Sequence, residues 1–173
     1  GGGKTTIARA VAGLLADAGL AHTLLDGDEL RTTLSTDLGF SREDRAEQVR
    51  RVGHLAHILG DAGVVPLVAL VSPFRADRDA VRALHAPGRF LEVHVATPLE
   101  VCAERDVKGL YARSATRSAA GQEDLLTGVG QDYEAPERAE LVLDGSDGQL
   151  LENAANTALR CVMEALRLGT DRR

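Results

Sequence analysis

The segment GGGKTT at residues 1–6 constrains the fold of this chain more than any other. A glycine-rich turn ending in Gly-Lys-Thr is the second half of the phosphate-binding pattern G-x-x-x-x-G-K-[ST], which joins a strand to a helix. Gly3, Lys4 and Thr5 supply that end. The backbone N–H groups of such a turn, together with the N-terminus of the following helix, solvate phosphate oxygens. On this pattern Gly1, Gly2, Gly3 and Thr6 surround the phosphates of a nucleotide. Lys4 reaches the β and γ phosphates, and the Thr5 hydroxyl ligates Mg²⁺. A glycine-rich turn that merely starts a helix is the plainer alternative. The first glycine of the pattern falls upstream of Gly1, so a truncated N-terminus is expected, with a strand ahead of the loop.

At 173 residues there is room for one domain with a proper core. The net charge of −6 argues against a nucleic-acid or anionic-membrane surface, since both need a basic face. Any anion bound here must be held by local cations working against the overall field. Cys102 and Cys161 are far apart and lack metal spacing, and they read as free thiols in a reducing cytosol. No apolar run approaches the ~20 residues that span a bilayer. A cytoplasmic, nucleotide-dependent enzyme is the expectation.

Hydrophobic periodicity places a helix over Thr5–Ala18, stopping near Gly19. AHTLLDGD reads as a short buried strand ending in a turn. A long helix follows over residues 40–63, with Ser41 as N-cap and Asp44 three residues on, a capping-box arrangement. GVVPLVALV is a strand apolar on both faces, as parallel strands between helix layers are. RADRDAVRALHA is a helix, FLEVHVAT a strand, and PLEVCAERD a helix with Pro98 near its first turn. Residues 108–133, rich in Arg, Ser, Gly and Ala, read as a mobile lid. AELVLD is the last strand, and an amphipathic helix over 149–167 closes the chain. Alternating strands and helices predict an α/β fold, a parallel sheet flanked by helices with the phosphate loop at the carboxyl ends of its strands.

The strand over Val64–Val71 runs into Ser72 without the terminal Asp that holds Mg²⁺ in many nucleotide hydrolases. Acids end the preceding strand instead. In LDGD, Asp26 and Asp28 flank a glycine, so a carboxylate can face the cleft and accept a proton from an attacking alcohol. A solvated Asp-Gly turn is the bland reading, and Arg31, three residues on, tilts against it. Arg31, Arg45, Arg75 and Lys108 are cations suited to an anionic second substrate. Gln48 shares a helix face with Arg45, while Arg50 and Arg51 read as a solvated charged face.

Six blocks in order resemble the adenylylsulfate kinase family: GGGKTTIA, LDGDELR, DLGFSREDRAEQVRR, SPFRADRDAVR, FLEVHVATPLEVCAERDVKGLY and LTGVGQDYEAPERAELVLD. The resemblance covers the chain to about Asp144. It implies a P-loop NTPase fold of the nucleoside-monophosphate-kinase-like type and phosphoryl transfer from MgATP to the 3′-hydroxyl of adenosine 5′-phosphosulfate. It also implies a homodimer, with fusion to or association with a sulfurylase as a further expectation.

Position by position, the resemblance makes Lys4 and Thr5 the phosphate and Mg²⁺ residues and Asp28 the acid at the attacking hydroxyl. Arg31 and Arg45 surround the phosphosulfate, and Phe40 stacks on the acceptor adenine. Ser72 matches a serine considered as a phosphoenzyme site. Direct in-line transfer is favoured here, because a P-loop, Mg²⁺ and an acid suffice without a covalent step. Lys108 matches a lid lysine that meets the phosphates, with Gly109 and Leu110 beside it. The departures fall on the acceptor side. Gln48 replaces an Asn, Val107 a Pro, and Leu126 the second aromatic of the adenine clamp. GQDYE stands for DDPYE, and the lid is about four residues longer.

Two rival readings stay open at this level, one enzymatic and one of another class. One is a relative that phosphorylates another nucleotide or small alcohol; the other is a regulatory domain that binds nucleotide without turnover. GVGQDY lacks the third glycine and the preceding strand of a dinucleotide fingerprint. His54 and His57 are helical neighbours without a third ligand.

Overall fold

The structure is a computed structural model, and it describes residues 2–105, 109, 132–143 and 150–170. Gly1, Lys108, Leu110, Leu126 and most of the expected lid lie outside these residues.

Gly3 takes a left-handed conformation (φ 86°), which only glycine adopts without strain, and turns the loop into α1 (Lys4–Asp17). Ile7, Val11 and Leu15, four residues apart, form the buried stripe of α1. That stripe packs against Ala155 and Ala158 of α6 (Leu150–Thr170) and against Leu143. Past Ala18, Leu20 N donates to Leu15 O and Gly19 N to Ala16 O, the double bond that ends a helix at a glycine.

Strand β1 (His22–Asp26) pairs in parallel with β2 (Val65–Ala69), from His22 opposite Val65 to Asp26 opposite Ala69. Strand β3 (Val93–Val95) pairs in parallel with β4 (Leu141–Leu143). Among the described residues the strands therefore form two parallel pairs. One core spans both, because Val65 and Leu67 of β2 and Val95 and Leu141 of the other pair all pack on the α1–α6 cluster. On the opposite side Leu25 meets Val52 and Ala56 of α3 (Arg42–Asp61). The burial of β2 is uneven: Leu67 packs inward, while Val68 is 43% exposed.

The expected turn after β1 is instead a helix, α2 (Gly27–Thr32). Asp26 causes the change. Its Oδ1 accepts from Asp28 N at 2.9 Å, which caps the new helix and ends the strand at residue 26. Asp28 and Glu29 in the first turn suit the positive end of the helix dipole. Ser41 caps α3 as expected, its Oγ accepting from Asp44 N at 3.1 Å. Helix α4 (Arg75–Arg82) and helix α5 (Leu99–Arg105) complete the described elements, and no described helix is long and apolar enough to cross a membrane.

Helices α3 and α4 pack face to face through Gly53. A Cβ there would lie 2.5 Å from Val81 Cγ2 and 3.2 Å from Val81 Cβ, so the stiff valine cannot swing aside. Alanine recovers ~0.5–1 kcal/mol of helix propensity, but overpacking costs about 1–3 kcal/mol. Gly53→Ala is therefore expected to destabilise, lowering Tm by roughly 2–4 °C per kcal/mol in thermal unfolding.

Candidate active site

The carboxyl ends of β1 and β2 open onto a cleft of about 370 Å³. This is the size of a small-molecule site. Its floor is Gly2, Gly3, Lys4, Thr5 and Thr6, and its second wall is Asp26, Gly27, Asp28 and Arg31. Phe40, Arg45 and Gln48 reach in from the start of α3, and Ser72 and Pro73 from the turn after β2. Sequence reasoning named most of these residues, and the fold brings them to one place. Thr97 Oγ1 donates to Gly2 O at 2.9 Å, tying the phosphate loop to the segment after β3.

Thr5 Oγ1 donates to Asp26 Oδ2 at 2.7 Å. Asp26 is thus both the cap of α2 and the acceptor of the Thr5 hydroxyl, a position its sequence context alone did not give it. Asp28, one helical step on, is exposed in the same cleft.

The opposite end of the cleft is cationic. Arg31 Nη1 donates to the carbonyls of Gly39 and Leu38, and its guanidinium sits 4.7 Å from the centroid of the Phe40 ring. Arg45 Nε donates to Phe40 O at 3.1 Å, with the guanidinium 5.6 Å from the same ring. Burial lowers the pKa of Arg45, and the neighbouring Arg31 charge lowers it further. Burial also lowers that of Arg31, against the pull of Asp44 and Asp28. Two guanidiniums held close and partly desolvated favour an anion between them. Gln48 is 2% exposed, and neither its Oε1 nor its Nε2 has a hydrogen-bond partner among the described residues. A buried amide in that state gains from a polar ligand in the cleft.

Arg75 is placed differently. It lies outside the cleft, with Nη1 2.7 Å from Glu137 Oε1 and Nη2 donating to Ala135 O. Arg50 and Arg51 pair with Glu47, and Arg51 also with Asp37, on the outer face of α3. Hydrogen bonds from Arg50 and then Arg51 hold the Glu47 carboxyl down to about 2. His57 packs edge-on against His85 at 5.2 Å. Gly109 is described with φ 60°, while its neighbours in the KGLY segment are not. Arg105, at the end of α5, also lines the cleft, and nothing in its local sequence pointed there.

The adenylylsulphate kinase family model matches residues 1–144. The adenylyl-sulfate kinase of Shewanella amazonensis is 53% identical over 150 residues, covering 87% of this chain and 74% of the relative. The chain belongs to the adenylylsulphate kinase family. Among solved structures, the APS kinase of Mycobacterium tuberculosis in complex with AMPPNP and APS superposes with a TM-score of 0.84. It is 37% identical, with 94% of this chain and 92% of that one covered. A hexameric APS kinase from Thiobacillus denitrificans matches with a TM-score of 0.64 at 28% identity, over 95% of this chain and 27% of its own. The kinase thus has the P-loop α/β fold that the loop and the strand order called for.

Proposed function

We propose that this cleft transfers the γ-phosphoryl group of ATP to the 3′-hydroxyl of adenosine 5′-phosphosulfate, giving 3′-phosphoadenosine 5′-phosphosulfate. The observation that carries the reading is the convergence of the Gly-Lys-Thr loop, Asp28 and the Arg31–Arg45 pair on one cleft of a chain from this family. Lys4 and the N–H groups of the loop hold the ATP phosphates. Asp28 accepts the proton of the attacking hydroxyl. Arg31 and Arg45 take the phosphosulfate, Phe40 stacks on the adenine and Gln48 completes the acceptor side. Ser72 shapes the acceptor wall, and Lys108, Gly109, Leu110 and Leu126 serve the acceptor in this reading.

Thr5 Oγ1 and Asp26 Oδ2 are hard oxygen donors beside the loop, a set that fits Mg²⁺. These two residues would hold the ion, which when bound neutralises charge on the phosphates. We read the chain as one kinase domain with its lid over 108–133, working in the cytoplasm as a homodimer, with a sulfurylase as partner or fused neighbour.

The test is ADP release coupled to a panel of acceptors. Adenosine 5′-phosphosulfate is expected to give the highest kcat/KM, and preference for another nucleotide or alcohol overturns the assignment. The division of labour has its own test. Arg45→Ala is expected to raise the KM of the acceptor by roughly tenfold or more, as loss of a charge-assisted contact does. The KM of ATP should move far less. Equal effects on both substrates would mean that Arg45 does not serve the acceptor.

A further inference from the structure

Among the described residues Ser72 alone, apart from glycines, has a positive φ, at 42°. Such a conformation persists only where the surroundings over-determine it. The turn at 72–74 is held from outside by α4 and by Glu134. Arg78 Nη1 donates to Ser72 O at 2.7 Å, and Glu134 N donates to Pro73 O at 2.9 Å. Phe74, the N-cap of α4, offers no side-chain cap. Glu134 supplies one instead, its Oε2 accepting from Arg75 N at 2.7 Å.

Arg78 joins these parts. Its Nη2 donates to Glu134 O at 2.6 Å, and its Nε lies 2.7 Å from Glu92 Oε1 at the foot of β3. The residue is 8% exposed. A planar fork donates to two carbonyls while its charge lies against a carboxylate, which an ammonium on a flexible stem cannot reproduce. Arg82, one turn on, belongs to the same ionic network through Glu92 and Glu140. Its described hydrogen bonds go to Glu92, Glu140 and Arg138, and none to residues 72–74.

We propose that Arg78 is a positioning residue for the transfer: by holding the Ser72 and Glu134 carbonyls in one fork, it sets the turn that forms the acceptor wall of the cleft. The inference rests on the acceptor reading above. It separates Arg78 from Arg82, which braces the fold without touching that wall.

The experiment measures initial rates of the full chain with both substrates varied, for wild type, Arg78→Gln, Arg78→Lys, Glu134→Gln and Arg82→Gln. A small misplacement of reacting groups costs on the order of 10–10²-fold. Arg78→Gln is therefore expected to lose that much in kcat/KM for the acceptor, with the KM of ATP within about twofold of wild type. Arg78→Lys should recover part of the loss, and Glu134→Gln, which keeps the carbonyl in the fork and an oxygen for the cap, should stay near wild type. Arg82→Gln should lower Tm and leave the acceptor kinetics unchanged. Native acceptor kinetics in a folded Arg78→Gln, or an equal acceptor defect in Arg82→Gln, would overturn the proposal. If Arg78→Gln does not fold, Arg78→Lys decides in its place, and native acceptor kcat/KM there overturns the proposal. Wild-type turnover with adenosine 5′-phosphosulfate in the same assay tests the acceptor reading separately.

Discussion

Asparagine in place of Asp28 is expected to leave ATP affinity intact and to lower turnover by roughly 10²-fold or more, the usual loss when a general base is removed. The substitution preserves size and shape at an exposed position in the first turn of α2. Asp26 still caps that helix, so the cleft keeps its form. What disappears is a group able to take the proton of the acceptor hydroxyl. The check pairs kcat from coupled ADP release with an ATP titration of the same variant. Wild-type turnover would remove Asp28 from the mechanism, and lost ATP binding would move it to the nucleotide side.

Asp26→Asn is expected to fail in a different way. The Asn side-chain oxygen can still accept from Asp28 N, so the cap survives. The carboxylate charge beside Thr5 does not. Loss of a carboxylate that holds or orients a metal ligand typically costs 10–100-fold in metal affinity or activity, so the Mg²⁺ concentration giving half-maximal rate should rise by roughly that factor. Asp28→Asn should leave that concentration unchanged. A rate profile against Mg²⁺ for both variants separates the two acids of LDGD. An Asp26→Asn enzyme with the wild-type Mg²⁺ dependence would sink the assignment of Asp26 to the metal.

Much of this was legible in the chain because its cause is local. The stripe Ile7, Val11, Leu15 announces α1, and Ser41 announces the start of α3 through a bond only three residues long. The Gly-Lys-Thr end is legible from its own spacing, while Arg31 and Arg45 stood out through the family resemblance of their blocks. Helix α2 was missed because six residues are too few to show a helical period, so LDGD read as a turn. The bond of Asp26 with Thr5, 21 residues away, becomes visible only when β1 lies beside the phosphate loop. Arg75 looked like a cleft cation, but it pairs with Glu137 and Ala135 and does not line the cleft. The hub at Arg78 had no signal at all, since its partners Ser72, Glu92 and Glu134 come from three separate stretches.

The cap that Glu134 places on α4 bears on the order in which the chain folds. Helix α4 has eight residues, and isolated helices shorter than ~12–15 residues are marginal in water. Its first turn is completed by a residue 59 positions away, so loop closure must come before the helix gains its N-terminal bond. During refolding, hydrogen-exchange protection of the first-turn amides of α4 should therefore lag behind that of α1. A nascent chain emerging from the ribosome would carry a frayed α4 until residue 134 had followed it out, although every residue of the helix was already present.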